Sequence, residues 1–252
     1  MKKKLLFTVD YSITNYDEAS DIIIEKALLN MSFGVTALAV HGLIETVKNK
    51  SFKKTVDTLD MVVPDGQPIK WALNSFYKVN LKDRVAGPIL TEHVLAKANK
   101  KSLSIYLYGS TPSTLDKMQK IFYKKYPNLS IAGTHPDRFR DATDEEYLDD
   151  IKKINDSGAH IVLVGRGCPR QEKWVAANLG HIHAPMMAIG AAFDFFAGNI
   201  KHAPRWMQNT GLEWFYRLIQ DPKKLWKRYL TTNLYFIYLF MVCKLGIRKF
   251  QF

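Results

Sequence analysis

Short apolar runs alternate with longer stretches of helical spacing along most of this chain. Ser104–Tyr108 ends at a glycine and precedes a helical pattern over Ser113–Tyr126, and His160–Val164 ends at Gly165 in the same way. Strands that read as continuous apolar runs are covered on both faces of a sheet. Strands separated by helices of about 10–15 residues form parallel βαβ units. The pattern therefore predicts an α/β fold with a mostly parallel sheet and flanking helices.

The other predicted elements follow the same alternation. Further strands are predicted at Leu5–Val9, Val35–Val40, Met61–Val63, Leu129–Ala132 and Met186–Ile189, and further helices at Tyr16–Met31 and Thr143–Asn155. Thr143 and Glu146 have the spacing of a capping box. The lysine-rich start resembles a secretory signal, but Asp10 interrupts its apolar stretch before the about 7–15 residues that a signal needs. We therefore interpret Leu5–Val9 as a first strand.

Positive charge is concentrated near the C-terminus. The 252 residues carry a formal charge of +12, and residues 201–252 alone contain ten basic and two acidic residues, a net of +8. Such asymmetry points to phosphate, nucleic acid or an anionic membrane face. The composition divides the chain into a body, residues 1–200, and a basic, aromatic helical segment, residues 201–252, called the C-terminal appendage below.

The C-terminal appendage combines this charge with an apolar run. Arg217, Lys224, Lys227 and Arg228 lie at spacings that helices bring together. The run LYFIYLFMVC, residues 234–243, is too short to cross a bilayer, which takes about 20 residues. Flanking basic residues and tyrosines favour a helix lying on an anionic leaflet, and a helix packed on the body is the alternative.

Four polar or glycine-rich clusters follow predicted strands. They are PDGQP (64–68), YGSTPS (108–113), GRGCPRQE (165–172) and GAAFDF (190–195), the last containing Asp194. Ligands of open parallel sheets bind outside the carboxyl ends of the strands. Gly109 lets the chain turn close to a ligand, and the amides after Ser110 begin a helix, where anions bind. A capped helix start with nothing bound is the alternative for this cluster.

GRGCPRQE is the most specific of these clusters. Gly165 and Gly167 permit positive φ or a close backbone approach, and Pro169 suits the first turn of the next helix. Arg170, Gln171 and Glu172 then lie beside the open edge of the sheet, where Glu172 either binds sugar hydroxyls or only favours the helix N-terminus. A bare turn with nothing bound is the alternative for this cluster. Gln171 both donates and accepts, as a uracil edge or a sugar hydroxyl requires. Cys168 has no paired histidine and is interpreted as a spectator.

PDGQP and DRVAGP supply the candidate chemistry. Asp65 at a strand end can accept a proton from an attacking hydroxyl, although an Asp-Gly pair is also a common turn. Arg84 can bind a phosphate or orient that carboxylate. The seven histidines and two cysteines show no metal-ligand spacing, so no metal site and no cofactor are expected.

These clusters, in this order, resemble the WecG/TagA/CpsF family of bacterial glycosyltransferases, also called glycosyltransferase family 26. The resemblance rests on VTALAVHG, VVPDGQPIKWA, DRVAGP, IYLYGSTP, YPNLSIAG, IVLVGRGCPRQEKW, GAAFDFFAGNIKHAPRWMQNTGLEWFYRL and DPKKLWKRYL, which run through nearly the whole chain. It implies a Rossmann-like fold and inverting, metal-independent transfer of a sugar from a UDP-sugar. The acceptor is a sugar on undecaprenyl diphosphate at the cytoplasmic membrane face. Members typically add N-acetylmannosamine to N-acetylglucosamine, for teichoic acid linkage or surface polysaccharide, and some relatives transfer glucose or other sugars.

The resemblance also implies residue roles. Asp65 matches the proposed general base, and Thr36, Arg84 and Gln171 match active-site positions. Arg217, Lys224 and Lys227 match basic residues that close over the diphosphate, and Arg228 lies beside them. Lysine stands at 224 and 227 where arginine is usual, which keeps the charge but loses the bidentate fork. The family's asparagine after the second strand is replaced by AVHG, which contains His41.

Two other classes of protein fit less well. A nucleotide-binding oxidoreductase requires a glycine fingerprint in its first βα turn, and residues 8–14 contain no glycine. A basic module that binds nucleic acid would leave the apolar run of the appendage in water, whereas lipid covers it. We therefore expect a peripheral membrane enzyme without a nucleic-acid partner. Its oligomeric state is open, with a homo-oligomer as one outcome.

Overall fold

The computed structural model describes residues 1–247, apart from the side chain of Lys224. Within these residues, one antiparallel hairpin and one six-stranded parallel sheet are formed. The hairpin consists of β1 (Lys3–Leu6) and β2 (Val9–Ser12). The sheet consists of β3 (Phe33–Leu38), β4 (Met61–Pro64), β5 (Ser104–Gly109), β6 (Ser130–His135), β7 (Ile161–Gly165) and β8 (Pro185–Ala188). Its spatial order is β4-β3-β8-β7-β5-β6, which confirms the predicted Rossmann-like α/β fold.

Helices connect and cover the strands. Those of the body are α1 (Tyr16–Leu28), α2 (Val40–Lys48), α3 (Lys50–Asp57), α4 (Gln67–Tyr77), α5 (Gly87–Lys100), α6 (Pro112–Lys125), α7 (Asp144–Asp156), α8 (Arg170–Ala177) and α9 (Ala191–Phe196). The C-terminal appendage contains α10 (Arg205–Asn209), α11 (Glu213–Gln220) and α12 (Pro222–Lys244). The predicted capping box of Thr143 and Glu146 is present at the start of α7.

The sheet is buried on both faces. Ile161 and Leu163 of β7 belong to a core shared with α1, α5, α6 and α9, whereas Val162 and Val164 belong to a core shared with α2, α3, α4 and α8. All four side chains are fully buried. Successive strand residues point to opposite faces, so a strand covered on both sides must be apolar at every position. This is why β7 reads as a continuous apolar run.

The N-terminal segment corrects one prediction. Leu5–Val9 is not a strand of the main sheet, because the chain reverses at Phe7 and Thr8 and forms the separate hairpin. Phe7 adopts a left-handed conformation, with φ of 56°. No glycine, asparagine or aspartate marks this turn, so the sequence carried no turn signal there. The hairpin packs beside β4, and the buried Tyr11 hydroxyl donates to the Leu38 carbonyl of β3 at 3.0 Å.

Helix α12 has two apolar faces. One face packs on the body through the buried side chains of Leu225, Phe236 and Leu239. The opposite face is exposed and apolar, and consists of Trp226, Leu230, Leu234, Ile237, Tyr238 and Met241. The packing of one face of α12 on the body corresponds to the alternative considered from the sequence, and contact of the other face with a membrane stays a prediction. Among the described residues, no helix combines the length and hydropathy that a membrane crossing needs. The division at residues 200 and 201 stays a prediction.

Candidate active site

A cleft of about 1180 Å³ lies along the carboxyl edge of the sheet. Its lining includes Asp65, Ser110, Gly167 and Asp194, one residue from each of the four strand-end clusters. Parallel strands end at the same edge, so loops that are far apart in sequence meet there. Residues of α11 and α12 complete the wall, and the C-terminal appendage therefore forms part of the cleft.

Asp65 follows the last residue of β4 and lines the cleft. Its Oδ2 accepts a hydrogen bond from the Gly87 amide at 3.5 Å. Burial, with a contribution from Glu213, raises the pKa of Asp65 to about 6 against the opposing effects of Arg84, the Gly87 amide and Arg217. A carboxylate with this pKa is deprotonated at neutral pH and still accepts a proton readily, which is what a general base requires.

Arg84 joins the body to the C-terminal appendage. Its side chain is buried, forms an ion pair with Glu213 of α11, and donates from Nη2 to Gln208 Oε1 at 3.2 Å. The sequence predicted a phosphate ligand or an orienting partner for Asp65. In the structure, its two polar contacts are with the appendage. Glu213 and Gln208 were missed because their pairing with Arg84 spans more than 120 positions and leaves no local signal.

Thr36, Gln171 and Glu172 form a hydrogen-bonded network at the cleft floor. The Glu172 Oε1 atom accepts from Thr36 Oγ1 at 3.0 Å and from Gln171 Nε2 at 2.8 Å. Thr36 and Glu172 are fully buried, and burial raises the pKa of the Glu172 carboxyl. Thr36 does not line the cleft, whereas Glu172 does. Thr36 therefore acts on the site through Glu172, and direct contact of Thr36 or Glu172 with a ligand stays a prediction.

Gln171 links two of the ligand-facing loops. Its Oε1 accepts from the amides of Gly167, at 3.1 Å, and Gly190, at 2.9 Å. A Cβ on Gly190 would lie 2.5 Å from that Oε1, so a larger residue here would displace the Gln171 amide from this contact. The amide group predicted to read a uracil edge or a sugar hydroxyl therefore holds the loops after β7 and β8 together.

Gly109 and Gly165 end adjacent strands at the cleft. They are register partners in β5 and β7, and a Cβ on Gly109 would lie 2.6 Å from the Gly165 carbonyl oxygen. Gly109 also has φ of 112°, and Ser110 follows with φ of 58°. Thr111 caps α6 by accepting from the Thr114 amide. The glycine turn and the helix start therefore lie where the sequence predicted them, at the cleft wall.

Asp137 organises two arginines at one end of the cleft. This buried carboxylate accepts two hydrogen bonds from Arg170, at 2.9 and 3.0 Å, and contacts Arg166 at 3.2 Å. Arg170 is thereby turned toward Asp137 and does not line the cleft, whereas Arg166 does. Asp137 was missed because the predicted strand ended at Ala132, whereas β6 continues to His135. Arg166 lies within the predicted GRGCPRQE cluster, but the sequence did not single it out.

Pro169 and Asp194 are two further residues that the sequence predicted at the site. Pro169 precedes α8 as its N-cap residue and follows a cis peptide bond. Asp194 of α9 lines the cleft, and its Oδ1 accepts from Asn199 Nδ2 at 3.2 Å. Asp194 thus presents a partly exposed carboxylate to the cleft, as a contact with a sugar nucleotide would require.

The predicted cations of the appendage are in different positions. Arg217 and Arg228 line the cleft, and the Nε atom of each is buried without a hydrogen-bond partner among the described residues. Lys227 lies on the exposed side of α12, away from the lining residues. The side chain of Lys224 lies outside the described residues. Two guanidinium groups therefore face the cavity that Asp65 also lines.

His41 is a cleft residue whose role the sequence did not assign. It lines the cavity near Arg228, and its Nδ1 atom is buried without a hydrogen-bond partner among residues 1–247. Burial, together with the nearby charges of Arg228 and Lys48, lowers the pKa of His41 to about 4. His41 is therefore neutral at physiological pH. In the part of the chain that is described, no group of three His, Cys, Asp or Glu side chains converges as a metal site.

Comparison with known proteins identifies relatives of this chain along almost its whole length. A sequence model of the glycosyl transferase WecG/TagA/CpsF family matches residues 5–250. A curated relative from Bacillus subtilis (strain 168) is 30% identical over 239 residues, which cover 93% of this chain and 90% of the relative. That relative is an N-acetylglucosaminyldiphosphoundecaprenol N-acetyl-beta-D-mannosaminyltransferase.

Proposed function

The chain belongs to the WecG/TagA/CpsF family of glycosyltransferases, and on that premise we propose that it moves N-acetylmannosamine from a UDP-sugar to N-acetylglucosamine on undecaprenyl diphosphate. The transfer inverts the anomeric centre and needs no metal ion. It takes place at the cytoplasmic face of the bacterial membrane, in the synthesis of teichoic acid or a surface polysaccharide. The observation that carries the proposal is that one cleft contains both the Asp65 carboxylate and the guanidinium groups of the appendage.

Asp65 is the group suited to activate the acceptor. The hydroxyl oxygen of the acceptor sugar attacks the anomeric carbon while its proton passes to the Asp65 carboxylate. The bond from that carbon to the UDP oxygen breaks, and the electron pair leaves with the diphosphate. In an inverting displacement the base and the leaving group lie on opposite sides of the sugar. Asp65 belongs to the β4 end and the cations belong to the C-terminal appendage, which is consistent with that division.

Arg217 and Arg228 are suited to stabilise the leaving diphosphate. Negative charge grows on the UDP oxygens as the glycosidic bond breaks, and preorganised cations stabilise such charge most strongly. Both arginines line the cleft with an unpaired Nε atom, so each has hydrogen-bonding capacity for a phosphate. Lys224 and Lys227 are proposed to add charge when the acceptor and donor are bound.

The apolar part of the cleft supports a lipid-linked acceptor. Trp71 of α4 and Phe236, Ile237 and Phe240 of α12 line the same cavity as Asp65. Ile237 also belongs to the exposed apolar face of α12. Exposed apolar surface rimmed by basic residues is typical of helices that bind anionic membranes. A prenyl chain could pass between the cleft and the bilayer along this face without crossing water.

A panel of UDP-sugars, assayed with a short-chain polyprenyl-diphosphate N-acetylglucosamine acceptor, tests the proposed function. We expect transfer from UDP-N-acetylmannosamine, inversion at the anomeric carbon by NMR, and an unchanged rate after treatment with EDTA. Preferred transfer of glucose or another sugar would change the proposed donor but not the assignment as a glycosyltransferase. Activity that disappears with EDTA and returns with magnesium would contradict metal independence.

The exposed face of α12 predicts a membrane-binding result. Replacing Leu230, Leu234 and Met241 together by serine is expected to weaken binding to vesicles containing phosphatidylglycerol by roughly 100-fold. The estimate takes about 1 kcal/mol of binding free energy for each side chain that the membrane partly buries. Vesicle pelleting measures the effect, and the triple serine variant of Leu28, Leu29 and Met31, equally exposed on the body, is the control. Equal pelleting of both variants would show that a surface other than the exposed face of α12 contacts the membrane.

A further inference from the structure

The ion pair between Arg84 and Glu213 joins the loop before α5 to the C-terminal appendage at the edge of the site. Arg84 lies three residues before Gly87, whose amide donates to Asp65. Glu213 is the first residue of α11 and is partly buried. A buried guanidinium needs an anionic partner, since leaving it unpaired is strongly unfavourable. Glu213 meets that need for Arg84, and Gln208 adds a second hydrogen bond from the appendage.

Asp65 is a competing partner for Arg84. Arg84 and Asp65 are close enough to perturb each other electrostatically, as are Asp65 and Glu213. The three charges therefore form a cluster in which one guanidinium serves two carboxylates. In the structure Arg84 contacts Glu213, and the hydrogen bond that Asp65 accepts comes from the Gly87 amide. A carboxylate held in a tight arginine pair is a weaker base, because its charged form is stabilised.

The geometry also links Glu213 to Arg217. The two residues are four apart in α11, so they lie on the same side of the helix, one turn from each other. Glu213 fixes the start of α11 to the loop before α5, and Arg217 then projects into the cleft with its guanidinium 5.5 Å above the ring of Phe195. Anchoring the first turn of α11 through Glu213 therefore sets the position of Arg217, the proposed diphosphate-binding residue in the second turn.

We propose that Glu213 is a positioning residue of the transfer reaction. By occupying Arg84, it leaves the Asp65 carboxylate free to accept the proton of the acceptor, and it holds α11 so that Arg217 faces the leaving diphosphate. This inference rests on the proposed function, because it assigns Glu213 a part in the same reaction. Glu213 itself contacts neither the transferred sugar nor the diphosphate in this role.

The proposal predicts a shift of the pH profile. The groups that act on Asp65 from the surrounding elements are Tyr11 of β2, Tyr16 of α1, Arg84 of the loop before α5, and Glu213 and Arg217 of α11. Of these, Glu213 raises the pKa of Asp65, and Arg84 lowers it. Neutralising Glu213 removes the first effect and releases Arg84 toward Asp65. Both changes lower the pKa of Asp65. The acidic limb of the pH profile, where kcat/KM rises as the base loses its proton, must therefore move to lower pH.

Glu213→Gln is the test variant, since it keeps the shape and removes the charge. We expect kcat to fall about tenfold or more with little change in donor KM, and the acidic limb to move down by at least half a pH unit. Glu213→Asp keeps the charge and should recover most of the rate and the wild-type limb. Glu145→Gln, at an exposed position on α7, is the matched control and should behave as wild type.

Limited proteolysis tests the same contact without any turnover. Trypsin should cleave residues 201–228 faster in Glu213→Gln than in wild type or Glu145→Gln, because the start of α11 has lost its ion pair. A wild-type kcat together with an unshifted acidic limb of the pH profile in Glu213→Gln would overturn the proposal. So would a loss of rate with an unmoved limb and no recovery in Glu213→Asp, which indicates a merely structural role. If the wild-type chain transfers no sugar, the proposed function fails, and unchanged cleavage would separately overturn the anchoring of α11.

Discussion

Asp65→Asn is expected to lower kcat about a thousandfold while leaving the affinity for UDP within about twofold. A positioned general base contributes about 10²- to 10⁴-fold to a rate, and asparagine cannot accept the proton of the attacking hydroxyl. The nucleotide is proposed to bind through the loops after β5, β7 and β8, which the substitution does not touch. Steady-state kinetics and calorimetric titration with UDP measure the two quantities separately.

The pH dependence gives this prediction a signature. Burial, with a contribution from Glu213, raises the pKa of Asp65 to about 6, so the wild-type kcat/KM should rise through pH 6 and level off above it. The acidic limb should be absent from the residual activity of Asp65→Asn. The exposed substitution Asp116→Asn, on α6, is the control and should leave rate and limb unchanged. Residual turnover within tenfold of wild type, with the limb still at pH 6, would assign the base to another residue.

The same substitution should stabilise the fold at neutral pH. Because the folded-state pKa of Asp65 is raised from 3.8 to about 6, the folded protein binds the proton more tightly than the unfolded chain does. Its stabilising contribution is therefore present below pH 3.8 and is lost as the pH rises through 6. Asparagine does not titrate, so Asp65→Asn should gain about 1–2 kcal/mol at pH 7.5, a value reduced for partial exposure, and less near pH 4. Thermal melting at the two pH values serves as the folding control.

Strand-end chemistry could be predicted from the sequence because topology alone brings it together. Asp65, Ser110 and Gly165 each follow an apolar run, and parallel strands place their carboxyl ends at one edge. No distance had to be known for that inference. The N-terminal hairpin could not be predicted in the same way, since its turn at Phe7 contains none of the residues that usually mark a reversal.

Residue roles were harder to predict than positions because burial and pairing are properties of the folded chain. Glu172 is a plausible sugar ligand in the sequence, yet it is fully buried and accepts hydrogen bonds from Thr36 and Gln171. Arg84 is a plausible phosphate ligand, yet its ion pair is with Glu213, 129 positions later. A polar residue near a site can contact the ligand or hold another residue in place, and sequence spacing does not distinguish the two.

Arg217→Gln is expected to lower kcat by about 100- to 1000-fold, with a much smaller effect on the affinity for the UDP-sugar. Removing one preorganised donor from a developing charge has an effect of this size in other enzymes. Arg217 meets the requirements for such a donor, since it lines the cleft and its Nε atom is buried without a hydrogen-bond partner among residues 1–247. Because the diphosphate gains further negative charge as the glycosidic bond breaks, Arg217 is expected to stabilise the transition state more than the bound donor.

Two matched variants make the Arg217 prediction specific. Arg217→Lys keeps the charge but loses the planar fork, so its kcat should fall between those of wild type and Arg217→Gln. Arg205→Gln removes an arginine from the exposed part of α10 and should change kcat less than threefold. Single-turnover measurements separate bond cleavage from product release. If Arg217→Gln weakened donor binding as much as it slowed cleavage, the residue would stabilise substrate and transition state equally, and the charge on the leaving diphosphate would have to be neutralised by another group.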